Sequence, residues 1–236
     1  MKLIITGATG FVAKEVIRQC LSKKEITSIV AVARSPVPIP EKLEAGADPS
    51  KLKSLVIKDY EFYLDEVKAE FSGAAACIWT VAITPSKSAS YDFAEVKRIC
   101  QTSTLNGLRA MHEAGPAAPF RFLYMSGAAS ERDQSKTPSY KPEYSKMRGL
   151  TEVKVMELAA DLGGMETATA KPGFITQPWS LGRQAMGFAI SSFAGVPSVD
   201  VSVLAAAMIE QVVNGFEKES LMPNDLIRLG KTALAK

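Results

Sequence analysis

The sequence predicts an α/β domain, a parallel sheet wound on both faces by helices. Three observations carry that prediction. Apolar runs of strand length alternate with segments of helical period along the chain. One run, residues 74–81, is apolar almost without interruption, as strands buried on both faces are. A glycine-rich turn lies between the first strand and the first helix.

The elements follow in order. Strand one spans residues 3–6, and a helix over 11–21 sets Val12, Val16, Ile17 and Cys20 on one face. Strand two covers 29–33 and strand three 54–57. Between them Pro36, Pro38 and Pro40 exclude regular structure, because proline lacks a backbone donor. Strand four is 74–81, and a helix over 91–114 is stopped by Gly115-Pro116. Strand five is 120–125. A loop through Ser126-Gly127-Ala128-Ala129-Ser130 leads to a helix over 143–162, closed by Gly163-Gly164. Strand six is 167–170, before Lys171-Pro172-Gly173. The remaining residues hold an apolar helix over 201–213 and a short strand near 226–229. No repeat, low-complexity tract or linker divides the chain, so residues 1–236 are expected to form a single domain with a small C-terminal substrate-side region.

Composition narrows the functional classes. Over 236 residues, 47% are hydrophobic and 22% charged, ordinary for a globular protein and too apolar for disorder. A net charge of +3 is not the basic stripe of a nucleic-acid binder, yet it does not repel a polyanionic cofactor. Cys20, Cys77 and Cys100 are odd in number and without CxxC spacing, and they read as core residues in a reducing compartment. His112 is the only histidine, which leaves no partner for a metal site or a histidine-based triad. The first apolar run is too short for a signal peptide and no stretch is long enough to span a membrane, so the expectation is a cytoplasmic protein.

The turn Thr6-Gly7-Ala8-Thr9-Gly10-Phe11-Val12-Ala13 carries the chemistry. Its first glycine permits a tight turn, its second lets a pyrophosphate approach the backbone, and Ala13 allows helix and strand to pack closely. Donors at the helix start favour phosphates, which makes Gly7, Thr9, Gly10, Phe11 and Val12 candidate contacts of a dinucleotide in a Rossmann fold. Strand two ends at Arg34, where an NAD site usually places an acidic residue for the ribose 2′-hydroxyl. Arginine suits a 2′-phosphate, so NADP(H) is expected over NAD(H). Asp59, after strand three, either meets the adenine amino group or is a plain loop carboxylate.

With this turn, the strand-two arginine, Leu123-Tyr124-Met125-Ser126-Gly127, the stretch from Tyr144 to Arg148 and Lys171-Pro172-Gly173 in order, the chain resembles the atypical short-chain dehydrogenase/reductase superfamily. The likeness is nearest its small NAD(P)-binding members, the HTATIP2/TIP30-like group and related fungal proteins. The resemblance implies a catalytic tyrosine, a lysine four residues on and a serine ending strand five; Ser126 and Tyr144 match, but Arg148 holds the lysine position. One helical turn separates Tyr144 from Arg148, so they share a face, whereas Lys146 points elsewhere. Arginine supplies charge but cannot relay a proton. Tyr140 has no basic partner at the same spacing. Thr80, Val81 and Ala82, with Pro172, Gly173, Phe174 and Ile175, end strands four and six, where ligands of open α/β sheets bind. Pro178, Trp179, Leu181, Met186 and Phe188 either line an apolar substrate pocket or are core residues under a long loop.

Three functions are compatible with these residues. The first is an NADP(H)-dependent reductase or dehydrogenase acting on a small, fairly apolar molecule. The second is a regulatory or redox-sensing NADP(H)-binding module without turnover, and the third a non-redox isomerase, lyase or cyclase on the same scaffold. The expected partner is a small-molecule substrate, with neither nucleic acid nor membrane. The helices over 91–114 and 143–162 are candidates for pairing two copies into a homodimer.

Overall fold

Seven parallel strands form the centre of the molecule, in the order β3-β2-β1-β4-β5-β6-β9. The computed structural model describes residues 1–177 and 196–235. On the first half of the sheet lie β1 (Lys2–Thr6), β2 (Ser28–Ala33) and β3 (Leu52–Val56). β4 (Ala76–Trp79), β5 (Phe120–Met125), β6 (Met165–Ala170) and β9 (Ser220–Leu221) form the second half. A two-stranded parallel pair, β7 (Ile175–Thr176) and β8 (Val199–Asp200), stands apart from this sheet. Strand β1 pairs with β2 on one side and β4 on the other, Leu3 facing both Ile29 and Ala76. Strand order therefore reverses between β1 and β4, opening a crevice above their carboxyl ends.

Helices cover both faces because each carries an apolar stripe. Against one face pack α1 (Phe11–Cys20), α7 (Val201–Asn214) and α8 (Pro223–Leu234), through Val16, Ile17, Leu204, Met208 and Leu226. Against the other lie α2 (Asp65–Phe71), α5 (Ser103–Glu113) and α6 (Pro142–Leu162), with Phe71, Leu108, Met111 and Val155 meeting Trp79, Phe122 and Tyr124 of the sheet. Each such side chain, fully buried, contributes roughly 1.5–3 kcal/mol. All three cysteines are buried and unpaired, as their apolar surroundings imply. Two short helices, α3 (Pro85–Ser88) and α4 (Phe93–Lys97), follow β4. A π-helical stretch, Arg98–Thr102, joins α4 to α5 and sets the Cys100 thiol against Ile83, whose N–H reaches it at 3.3 Å.

Several elements differ from expectation. β4 spans four residues rather than eight, because beyond Trp79 the chain turns to bind Thr6 instead of continuing a ladder. The expected strand near 226–229 lies within α8, where Leu226, Leu229, Gly230 and Ala233 recur at helical spacing after Pro223 in the first turn. The sheet gains its seventh strand just before, at β9. Helix α2 adds a short element between β3 and β4. Among the described residues no helix is long and apolar enough to cross a membrane.

Candidate functional site

At the crevice, the glycine turn is shaped by close backbone approaches. Gly7 has φ +65°, and a Cβ there would stand 2.7 Å from Thr80 Oγ1. Thr80 itself is lashed to β1: its Oγ1 donates to Thr6 O at 2.7 Å and its N–H donates to Thr6 Oγ1 at 3.3 Å. The Gly10 N–H closes the turn onto Gly7 O at 2.7 Å, leaving no room for a Cβ at Gly10. Helix α1 then begins at Phe11 with no side-chain cap and no acidic residue in its first turn. Its N-terminal dipole is left to complement an anion lying over the turn. Thr9 is exposed, while Val12 and Ala13 are buried against the sheet, Ala13 fully, as the close-packing role requires.

Tyr60 is a part of this turn that the sequence reading missed. Its hydroxyl accepts from the Gly7 N–H at 3.1 Å and donates to Val32 O at 2.9 Å, tying the turn to the end of β2. Burial pushes the phenol up to about 12, against the lowering effects of the Gly7 bond and the nearby Arg34 charge. The ring packs edge-on against Trp79. A tyrosine right after an apolar strand was the one available signal, and it is indistinguishable from a core aromatic without the fold. Arg34 is exposed at the tip of β2, and no carboxylate among the described residues is paired with it. Asp59 Oδ1 accepts from the N–H groups of Glu61 and Phe62, so that oxygen shapes its own loop.

The other crevice edges are anchored from below. Val81 is buried and Ala82 half-buried beyond β4. After β6, Pro172 O accepts from the Ala128 N–H at 2.9 Å, Phe174 O accepts from Val199, and Ile175 lies in β7. A Cβ at Gly173 would stand 2.2 Å from Pro197 O, so a side chain there would part these segments. Pro178, Trp179, Leu181, Met186 and Phe188 lie outside the described residues.

The three residues matched to the catalytic pattern occupy one neighbourhood but bond to different partners. Tyr144 stands in the first turn of α6, among Ile83, Val96, Cys100 and Met147, and its hydroxyl donates to Ile83 O at 2.9 Å. Burial raises it to about 12, partly offset by the Arg148 charge. Ser126 Oγ lies 2.8 Å from Ser130 Oγ. Arg148 is only 3% exposed; its Nη2 donates to Met125 O at 2.6 Å and its guanidinium sits 4.9 Å from the centre of the Tyr124 ring. Its Nη1 is buried without a partner. The helical spacing thus sets Tyr144 and Arg148 on one face, with the arginine beneath the tyrosine and against the end of β5.

A buried ionic group supports the loop that carries Ser126. Glu152 Oε2, with no exposed surface, accepts from Arg132 Nε at 2.7 Å and Lys171 Nζ at 3.1 Å; Lys171 also donates to Ser130 O at 3.0 Å. The loop presses so closely on α6 that a Cβ at Gly149 would fall 1.8 Å from Glu131 O. Lys171 thereby has a structural partner set that the family-like Lys171-Pro172-Gly173 motif did not disclose.

No family model matches the chain. Leucinostatins biosynthesis cluster protein T of Purpureocillium lilacinum is 35% identical over 80 residues, which is 34% of this chain and 27% of that protein's length. Among solved structures, MoeE5 in complex with UDP-glucuronic acid and NAD superposes with a TM-score of 0.67 at 16% identity, covering 93% of this chain and 74% of that one. Gre2 of Candida albicans in complex with NADPH gives 0.65 at 18% identity, covering 94% and 77%. At such identities the likeness establishes the fold alone, a doubly wound Rossmann sheet.

Proposed function

We propose that this chain is an NADP(H)-dependent oxidoreductase, reducing a carbonyl or oxidising an alcohol of a small, fairly apolar molecule. The observation that carries the reading is the uncapped start of α1 behind Gly7 and Gly10, with exposed Arg34 on the tip of the neighbouring strand. The residues fit a dinucleotide: two positions that exclude a Cβ, a helix dipole facing them, and a cation free to meet a 2′-phosphate. Fold relatives that carry NAD or NADPH support the cofactor class without choosing between the two.

A bound nicotinamide supplies hydride transfer; the chain's own residues have to hold the substrate oxygen and move its proton. Tyr144, raised to about 12, is protonated at neutral pH and is suited to donate to a carbonyl oxygen as it becomes an alkoxide. To do so its hydroxyl exchanges Ile83 O for the substrate. Ser126 orients the same oxygen, and buried Arg148 acts on Tyr144 through its charge. In the oxidative direction Tyr144 has to be ionised first, so that rate is expected to climb with pH while the reductive rate stays level up to about pH 10.

Two measurements test the reading. Calorimetric titration should show NADPH binding tighter than NADH, and Arg34→Ala should weaken NADPH by about 10- to 100-fold while leaving NADH nearly unchanged. Equal loss for both cofactors would remove the 2′-phosphate assignment. Tyr144→Phe should lower turnover by about 100-fold or more with cofactor affinity preserved; full turnover in that variant would remove Tyr144 as the acid. A second reading, an NADP(H)-binding regulatory module, draws on the Tyr144–Ile83 and Arg148–Met125 bonds, which engage both side chains internally. NADPH binding with no hydride transfer across a broad carbonyl panel would select it.

A further inference from the structure

Beside Tyr144 lies an open cavity of about 280 Å³. Its walls are Ala89, Tyr91 and Phe93 from the segment after β4, and Pro142 and Tyr144 from the start of α6, with Ser88, Lys141 and Glu143 at the rim. Tyr91 and Phe93, 49% and 38% exposed, both line this cavity and present their rings to it and to water. Lys141 is the one non-glycine residue with positive φ among the described residues, at +40°. That conformation costs a β-carbon-bearing residue roughly 1–3 kcal/mol and tends to persist where a site requires it. The Lys141 ammonium donates to Ser88 Oγ at 3.4 Å. No carboxylate among the described residues pairs with Lys141. Glu143 is exposed and lies in the first turn of α6, where the helix dipole complements its charge.

From this geometry we infer that the cavity is a binding subsite for a planar aryl group bearing a carboxylate, the rings lying between Phe93, Tyr91 and Pro142 and the carboxylate meeting Lys141. The inference rests on the oxidoreductase reading only for the identity of the occupant as the non-reacting end of the substrate; binding itself is independent of turnover. Aromatic walls supply affinity at little entropic cost, and an unneutralised ammonium at the rim selects the anion. The volume accommodates a single- or double-ring group.

The test is fluorescence titration of the intact chain with 2-naphthoate and, as a neutral match, 2-naphthamide. Naphthoate should bind at least tenfold tighter than the amide. Lys141→Gly, which accepts φ +40° without strain and removes the ammonium, should abolish that preference while leaving amide binding unchanged. Phe93→Ala should weaken both ligands. Tyr144→Phe should keep naphthoate binding whatever it does to turnover, so loss of the reductase reading and loss of the subsite appear in different measurements. Equal affinity for the two ligands, or a preference that survives Lys141→Gly, overturns the inference, as does the absence of naphthoate binding.

Discussion

Tyr60 serves two backbone groups with one hydroxyl, accepting from Gly7 and donating to Val32. Tyr60→Phe removes both bonds while preserving the ring against Trp79. A destabilisation of about 2 kcal/mol is expected, read as a lowered urea midpoint with unchanged slope. At this scale the glycine turn and Arg34 were legible in the sequence, because a glycine pattern between a strand and a helix has few physical explanations. Tyr144 and Ser126 were found by position in a motif. Their bonding was not legible, since it depends on Ile83 and Ser130, which belong to loops whose course no periodicity specifies. Lys141 was equally hidden, because a positive φ at a lysine has no compositional signature.

Among the elements, α6 is the most informative. Its buried face carries Ser145, Arg148, Thr151 and Glu152 beside Met147 and Val155, so the stripe facing the sheet is polar where it meets the site. Gly149 on the same face admits the backbone of residue 131. Gly149→Ala drives a Cβ into a carbonyl oxygen that cannot yield, and a loss of about 3 kcal/mol is expected in chemical denaturation. Gly127→Ala, with nothing within 4 Å of the added carbon, should stay within about 0.5 kcal/mol and serves as the control. Element existence followed from apolar period, and the edges failed where side chains, not ladders, end the element. Thr80 and Thr6 stop β4 early by bonding to each other. The 226–229 run reads as a strand by its apolar residues alone, but Pro223 and the spacing through Ala233 make it a helix.

At the level of the whole molecule, the parallel order was implied by alternation, whereas the seventh strand, two residues long, is too short for any window to detect. Stability should respond to alkali in a definite direction. Tyr60 and Tyr144 both rise to about 12 from 10.0 because burial penalises the phenolate. The native chain therefore holds protons that the unfolded chain releases between those values. Their contribution is fully present below pH 10 and is lost as pH climbs toward 12, on the order of a few kcal/mol in all. Urea midpoints at pH 8, 10 and 11 should be level between the first two and fall at the third; a flat series would mean that neither phenol is as buried as the fold places it.

The ionic group of Arg132, Glu152 and Lys171 bears on how this sequence can change over time. Losing Glu152 strands the buried Lys171 ammonium at roughly 3–5 kcal/mol, while exchanging the set for well-packed apolar residues is often neutral or better. Single substitutions thus descend into a valley that only a concerted replacement crosses. Glu152 and Lys171 should drift together or not at all, and they hold the loop of Ser126 in place for as long as they stay.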